Sequence, residues 1–267
     1  MTGGASGPVL VEQRGGYAIL TLNRPEKRNA LNKALLKAFQ DALEQLRSEA
    51  SVIVLTGAGD KAFTAGMDLT EAKEHLEHPG RTYAYGANLF WETLEAMRRH
   101  PAIFIAAVNG AALGGGLTLT HNADLAVAAD SATFGMPEVT FGAFPGLAGP
   151  ATVHRVLPKH AAWLVLTGER VDAATAQSWG IVNEVVPAAD LVARAEQLAG
   201  RMAQFDPVVL DFSKKALRDL ATLDWTRAVE YGLTLGPVIA QQTSSARQGI
   251  QHFVTGGRNV GQGPEQP

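Results

Sequence analysis

Cysteine is absent from the 267 residues. That excludes disulfides, thiolate metal sites and a cysteine nucleophile, and it fits a reducing compartment such as the cytoplasm. Like charges never gather into a block of five or six, and the net charge is −3. A nucleic acid or an acidic membrane surface is therefore disfavoured as the main partner. The start, MTGGASGPVL, lacks the basic region and apolar stretch of a signal peptide and reads as a tail over residues 1–8. One long apolar run exists, Ala102 to Thr120. Asn109 and four glycines interrupt it, and His121, Asn122 and Asp124 follow at once. A buried strand, a turn and a buried helix explain it better than membrane insertion. HExxH, GxSxG and GxxxxGK[ST] are all missing, so a zinc hydrolase, a serine-hydrolase elbow and a P-loop lack support. The histidines show no metal-ligand spacing: His75 and His78 lie three apart without a third ligand nearby. No metal is expected.

What remains is an ordinary core-forming composition, 46% hydrophobic and 18% charged, enough for one large domain or one domain with a helical appendage. Val9–Gln13 and Tyr17–Leu22 read as strands around a Gly15-Gly16 turn. Asn32 can cap a helix running to about Arg47, with Leu35, Leu36, Phe39, Leu43 and Leu46 on one face. Ser51–Thr56, Ala102–Val108 and Asp124–Ala128 read as buried strands. Gly114 opens a short helix, and another helix ends near Arg99. Thr70–Arg81 reads as an exposed, mobile segment. Strands alternating with helices indicate an α/β architecture. Beyond Pro145 the pattern turns almost wholly helical, through Asp190–Gln204, Pro207–Leu220, Asp224–Gln241 and Ser244–Val254. A core over residues 9–200, a helical region over 201–255 and a glycine-rich tail over 256–267 follow. No repeat of fixed period is visible.

Two glycine turns and one acid carry the chemistry. Asn109–Leu119 (NGAALGGGLTL) holds Gly114, Gly115 and Gly116, Ala62–Leu69 (AFTAGMDL) holds Gly66, and FGMPEVTFG holds Glu138. Glycine lets backbone approach a ligand, and N–H groups at a helix start point outward with a favourable dipole. Such donors can hold an oxyanion while a single base moves a proton. A carboxylate in apolar surroundings is a useful base near neutral pH. Read blandly, the glycines serve packing, Glu138 caps a short helix and Thr118 bonds its own backbone.

Five segments in series resemble the crotonase, or enoyl-CoA hydratase/isomerase, superfamily: Leu22–Asn32, Leu55–Leu69, Ala106–Leu119, Ala132–Gly146 and Leu166–Pro187. The resemblance spans roughly residues 9–255. It implies a spiral of ββα units with a helical C-terminal region that forms trimers, often paired into hexamers. It also implies an acyl-CoA thioester substrate, with coenzyme A as part of the substrate and no other cofactor. The family's oxyanion donors map onto the N–H groups of Met67 and Gly115, and a proline at Gly115 is expected to do more harm than a methyl at Gly116. Glu138 matches one of the two hydratase glutamates, whereas Thr118 stands where the other would be. The expected chemistry is therefore double-bond isomerisation or hydration of the hydratase-lyase type by one acid/base. A thioester hydrolase or C–C-cleaving paralogue is the alternative, and an RNA-binding or scaffold role is disfavoured. A tyrosine of the hydratase-lyase pocket is Ala72 here, with Tyr83, Tyr85 and Tyr231 as other sources. For CoA, the resemblance points to Arg24, Lys27, Arg28, Lys61, Ala62, Ala65, Asp68 and Leu69, with the family's C-terminal basic pair reduced to Arg258. Leu69, Leu76, Phe90, Trp91 and Phe144 are candidates for an acyl pocket.

Overall fold

The computed structural model describes residues 7–76 and 84–255. Expectations for residues 1–6, 77–83 and 256–267, including His78, Tyr83 and Arg258, lie outside the described residues. So do those for the side chains of Ala72, His75, Leu76 and Tyr85.

β1 (Val9–Gln13) and β2 (Tyr17–Leu22) form an antiparallel hairpin. α1 (Lys33–Leu46) begins where the Asn32 side chain accepts the Leu35 N–H at 2.9 Å, and its apolar stripe is buried. Three strand–strand–helix units follow. The first holds β3 (Val52–Gly57), β4 (Ala62–Thr64), α2 (Leu69–Leu76) and α3 (Ala84–Arg99). The second holds β5 (Ile103–Val108), β6 (Ala111–Leu113) and α4 (Gly115–Asn122). The third holds β7 (Leu125–Ala129), β8 (Thr133–Gly135), a 3₁₀ turn at Pro137–Phe141 and α5 (Ala148–Val153). Then come α6 (Pro158–Thr167), β9 (Val171–Asp172), α7 (Ala173–Ser178), β10 (Glu184–Val186), α8 (Leu191–Met202), α9 (Pro207–Leu220), α10 (Trp225–Gln242) and α11 (Ser245–Val254).

The first strand of each unit enters a large sheet ordered β1-β2-β3-β5-β7-β10, and the second enters a small one ordered β4-β6-β8-β9. From β2 onward the large sheet is parallel. Its central strands are covered on both faces, which is why β3 and β5 read as unbroken apolar runs rather than alternating ones. Asn109 closes the top of the second unit: its amide bridges Gly57 N–H and the carbonyls of Gly57 and Gly59.

The chain beyond Pro145 is almost wholly helical, as the sequence indicates, with β9 and β10 added as short edge strands of the two sheets. At two and three residues they are too short to leave a period in the sequence. The segment expected to be mobile from Thr70 begins as α2, because Asp68 Oδ1 accepts the Thr70 N–H at 3.0 Å and Glu71 Oε2 accepts the Lys33 N–H at 3.1 Å.

The expected boundary near residue 200 falls within the last turn of α8, and α9 beyond it is still bound to the core. Lys214, 3% exposed, donates to the carbonyls of Met97 (3.2 Å), His100 (3.0 Å) and Ala102 (2.6 Å). Its ammonium also lies 3.3 Å from Asp124 Oδ2, and Arg218 takes the other carboxylate oxygen at 3.2 Å. Burial draws the Lys214 ammonium down to about 8, against the pull of Asp124. His100 is drawn to about 4 by burial and is neutral; its Nδ1 accepts the Ala102 N–H, so Nε2 donates to Leu43 O. Removing one partner of such a pair strands the other in a dry site. Lys214→Ala should cost about 3–5 kcal/mol in denaturant unfolding, while Lys215→Ala, an exposed helix pair with Asp211, should change stability by less than about 1 kcal/mol.

Candidate functional site

The parallel register brings the three motifs together. β6 pairs with β8, setting Leu113 beside Gly135, and the Gly114 N–H donates to Gly135 O at 2.9 Å. The glycine run therefore sits next to the turn that carries Glu138. Gly114 has φ +49, and a Cβ there would collide with Glu138 Oε1. Only glycine allows the carboxylate to lie against this backbone.

The second glycine turn meets the first from the other side. A Cβ on Gly66 (φ +89) would stand 2.7 Å from Leu113 O and 3.1 Å from Gly115 N. A Cβ on Gly116 would stand 2.6 Å from Thr64 O. A methyl at Gly116, expected to do less harm than a proline at Gly115, would still push two backbones apart. Gly115 is the first residue of α4, so its N–H has no acceptor within the helix. Around Met67 the bonds skip one amide: Leu31 N–H goes to Gly66 O at 2.8 Å and Asp68 N–H to Leu31 O at 3.0 Å. Neither the Met67 nor the Gly115 N–H is spent on a backbone acceptor among the described residues.

Glu138 sits in the 3₁₀ turn, which ends at Gly142 in the left-handed region. α6 presses the turn from outside, where a Cβ on Gly168 would meet Thr140 Cγ2 at 2.8 Å. Oε2 of Glu138 is buried without a hydrogen-bond partner. Burial pushes the carboxyl above its ordinary range, and a bond from its own backbone N–H offsets part of that. Thr118, 2% exposed, donates its hydroxyl to Gly114 O at 3.1 Å, four residues back, as the bland reading of this residue has it. Thr120 does the same to Gly116 O. His121 of the same helix is drawn to about 3 by burial and is neutral, its Nε2 unpartnered.

The residues assigned to CoA divide into two groups. Lys27, Arg28, Lys61 and Leu69 are exposed. Ala62 is 1% exposed in β4 and offers a carbonyl to Asn29 Nδ2 rather than a surface. Ala65 N–H bonds Arg28 O at 2.9 Å. Arg24 and Asp68 form an ion pair at 3.0 Å, both largely buried. Of the acyl-pocket candidates, Phe90 is core (1% exposed) and packs toward Gly115, whereas Trp91 and Phe144 are exposed. Asn29 was missed by sequence reasoning. It is fully buried, follows Arg28 in the left-handed region, and its side chain ties Arg24 N–H to the carbonyls of Ala58 and Ala62. An asparagine inside a charged loop, a residue that tolerates positive φ, was the available signal.

Two stacked glycine turns thus lie beside a carboxyl with one buried, unpartnered oxygen, on a spiral of ββα units. The Enoyl-CoA hydratase/isomerase family model matches residues 12–259, and the chain belongs to that family of lyases and isomerases. It is 38% identical to the 2,3-dehydroadipyl-CoA hydratase of Escherichia coli K12 over 92% of this chain and 95% of that protein. It is 37% identical to the hydroxycinnamoyl-CoA hydratase-lyase of Pseudomonas fluorescens, over 84% and 82%. The crystal structure of an enoyl-CoA hydratase from Bacillus anthracis superposes with a TM-score of 0.87 at 30% identity, covering 96% of this chain and 99% of that one.

A carboxyl whose folded pKa is raised contributes its full stability below the unfolded value and loses it as pH rises through the folded value. Glu138→Gln has no charge to bury. Its stability should equal the parent's near pH 4 and exceed it at about pH 7–8, read as the difference in urea midpoints across that range.

Proposed function

We propose that this enoyl-CoA hydratase/isomerase-type enzyme holds the thioester oxygen on the N–H groups of Met67 and Gly115 and uses Glu138 as its single acid/base. The observation that carries the reading is the buried, unpartnered Oε2 of Glu138 beside the glycine run. In isomerisation the carboxylate takes a proton from C2 of a 3-enoyl thioester. The resulting dienolate places its charge on the thioester oxygen, between the two donors, and the neutral carboxyl returns the proton at C4. In hydration the same carboxylate deprotonates the water that adds at C3, and the proton is delivered to C2. Thr118 leaves no second carboxylate to hold that water, which favours isomerisation or hydratase-lyase chemistry over ordinary hydration. Its hydroxyl, already spent as a donor, retains acceptor capacity toward a substrate group. Lys27, Arg28 and Lys61, exposed cations at the rim, are the groups for the CoA phosphates.

The test is a spectrophotometric screen with 2-enoyl-, 3-enoyl- and hydroxycinnamoyl-CoA thioesters. Glu138→Gln should lower kcat on the best substrate by about 10²–10⁴-fold while KM stays within a few-fold. Retained turnover removes Glu138 from the mechanism, and fast hydration of crotonyl-CoA by the parent removes the preference for isomerase or hydratase-lyase chemistry.

The reading extends to assembly and location. No residue of α10 or α11 is buried in the protomer, and Trp225, Leu233, Ile250, Phe253 and Val254 are all more than 60% exposed. Apolar faces of this kind fit burial against further copies of the chain, as a homotrimer or a dimer of trimers in the cytoplasm. No helix among the described residues is long and apolar enough to cross a membrane. Light scattering should give three or six protomers, and Leu233→Asp with Phe253→Asp should shift the mass toward the monomer.

A further inference from the structure

We infer that Arg24 and Asp68 form a positioning strap that sets the direction of the Met67 N–H, and that Arg24 acts through this strap rather than on the CoA nucleotide. The inference rests on Met67 being an oxyanion donor, as proposed above.

The loop over residues 23–33 and the loop over 65–71 are zipped along their length. Ala65 N–H bonds Arg28 O, Gly66 O takes Leu31 N–H, Leu31 O takes Asp68 N–H, and Glu71 Oε2 takes Lys33 N–H. Among the described residues, the Met67 N–H in the middle of this zipper meets no backbone acceptor. Its orientation is fixed by the peptides on either side, and those depend on Asp68 and on Leu31. Arg24 controls both. Its Nη1 donates to Asp68 Oδ2 at 3.0 Å and to Ala30 O at 2.6 Å, one residue before Leu31. Asp68 uses its other oxygen to cap α2 through Thr70 N–H. Burial alone would push the Asp68 carboxyl up; the Arg24 hydrogen bond, the Thr70 bonds and the Arg24 charge outweigh it and hold the group below the usual carboxylate range.

The Arg24 loop is itself held under strain. Arg28 and Asn29 take φ values of 51 and 55, a region that costs side-chain-bearing residues energy and persists only where the surroundings over-determine it. Here the surroundings are the Asn29 bonds and the Arg24 head. Without the head, the strained pair can relax and carry Leu31, and with it the Met67 amide, away from Gly115. A shift of about 1 Å in a reacting group can cost on the order of 10²-fold in rate.

Arg24→Gln and Asp68→Asn test this, each removing the charge pair, the second at nearly constant shape. The expected result is a kcat lower by about ten- to a hundredfold with KM for the acyl-CoA substrate within about threefold. The double variant should be no worse than either single, since both remove one interaction. Arg24→Lys, which keeps the charge but not the fork, should recover part of kcat. In the unliganded protein, hydrogen exchange of the peptide covering residues 64–70 should speed up in both single variants. A rise in KM with kcat unchanged would overturn the inference and return Arg24 to the CoA phosphates. Unchanged exchange and unchanged kcat would overturn it as well. The exchange arm reads the strap with no substrate present, so it stands even if the parent turns over no CoA thioester, a result that would instead sink the Glu138 reading.

Discussion

The site depends on backbone lying directly on backbone. Gly66 rests on Leu113 and Gly115, Gly116 on Thr64, and Gly114 on the Glu138 carboxylate. A single methyl at any of these contacts would exceed ordinary van der Waals limits. Hydrophobic burial then converts this closeness into rigidity: α4 is buried from Gly115 to His121, so the helix cannot retreat to relieve pressure from the loop above it. The two free amides owe their proximity to this contact, and the parallel pairing of β4, β6 and β8 delivers the three segments to the same edge.

Such a site is costly to the fold that carries it. Glu138 brings a carboxylate oxygen into a buried place without a donor, and two consecutive non-glycine residues sit at positive φ. Unsatisfied polar groups and strained dihedrals concentrate where chemistry needs them and are held by the rest of the structure. Here the restraint comes from the covered parallel sheet, from Asn29 and Asn109 stitching the loops above it, and from the Lys214 cluster behind it.

The sequence made the frame and the motifs legible because their signals are local. Unbroken apolar runs gave β3 and β5, Asn32 gave the start of α1, and the glycine patterns gave the two turns together with Glu138. What it hid was either short or long-range. β9 and β10 have too few residues for a period. Arg24 looks like any exposed cation of a basic loop, and its partner lies 44 positions away in sequence. Lys214 reads as one polar residue of an amphipathic helix, and nothing near it in sequence announces three carbonyls more than a hundred positions earlier. Thr118 showed what was missing, a second carboxylate, and its bond to Gly114 O is the backbone bond open to a threonine in a helix.

Lys214 also sets an order of events. Its three carbonyl partners lie at the junction of α3 and β5, and Asp124 lies just before β7. As the chain leaves the ribosome, these acceptors are made long before the ammonium that satisfies them. The large sheet can pair early, through contacts between neighbouring units, yet the base of β5 keeps a polar gap until α9 has been synthesised and swings in. A chain that ends short of α9 lacks the ammonium shared by these three carbonyls, Asp124 and the face of Phe104.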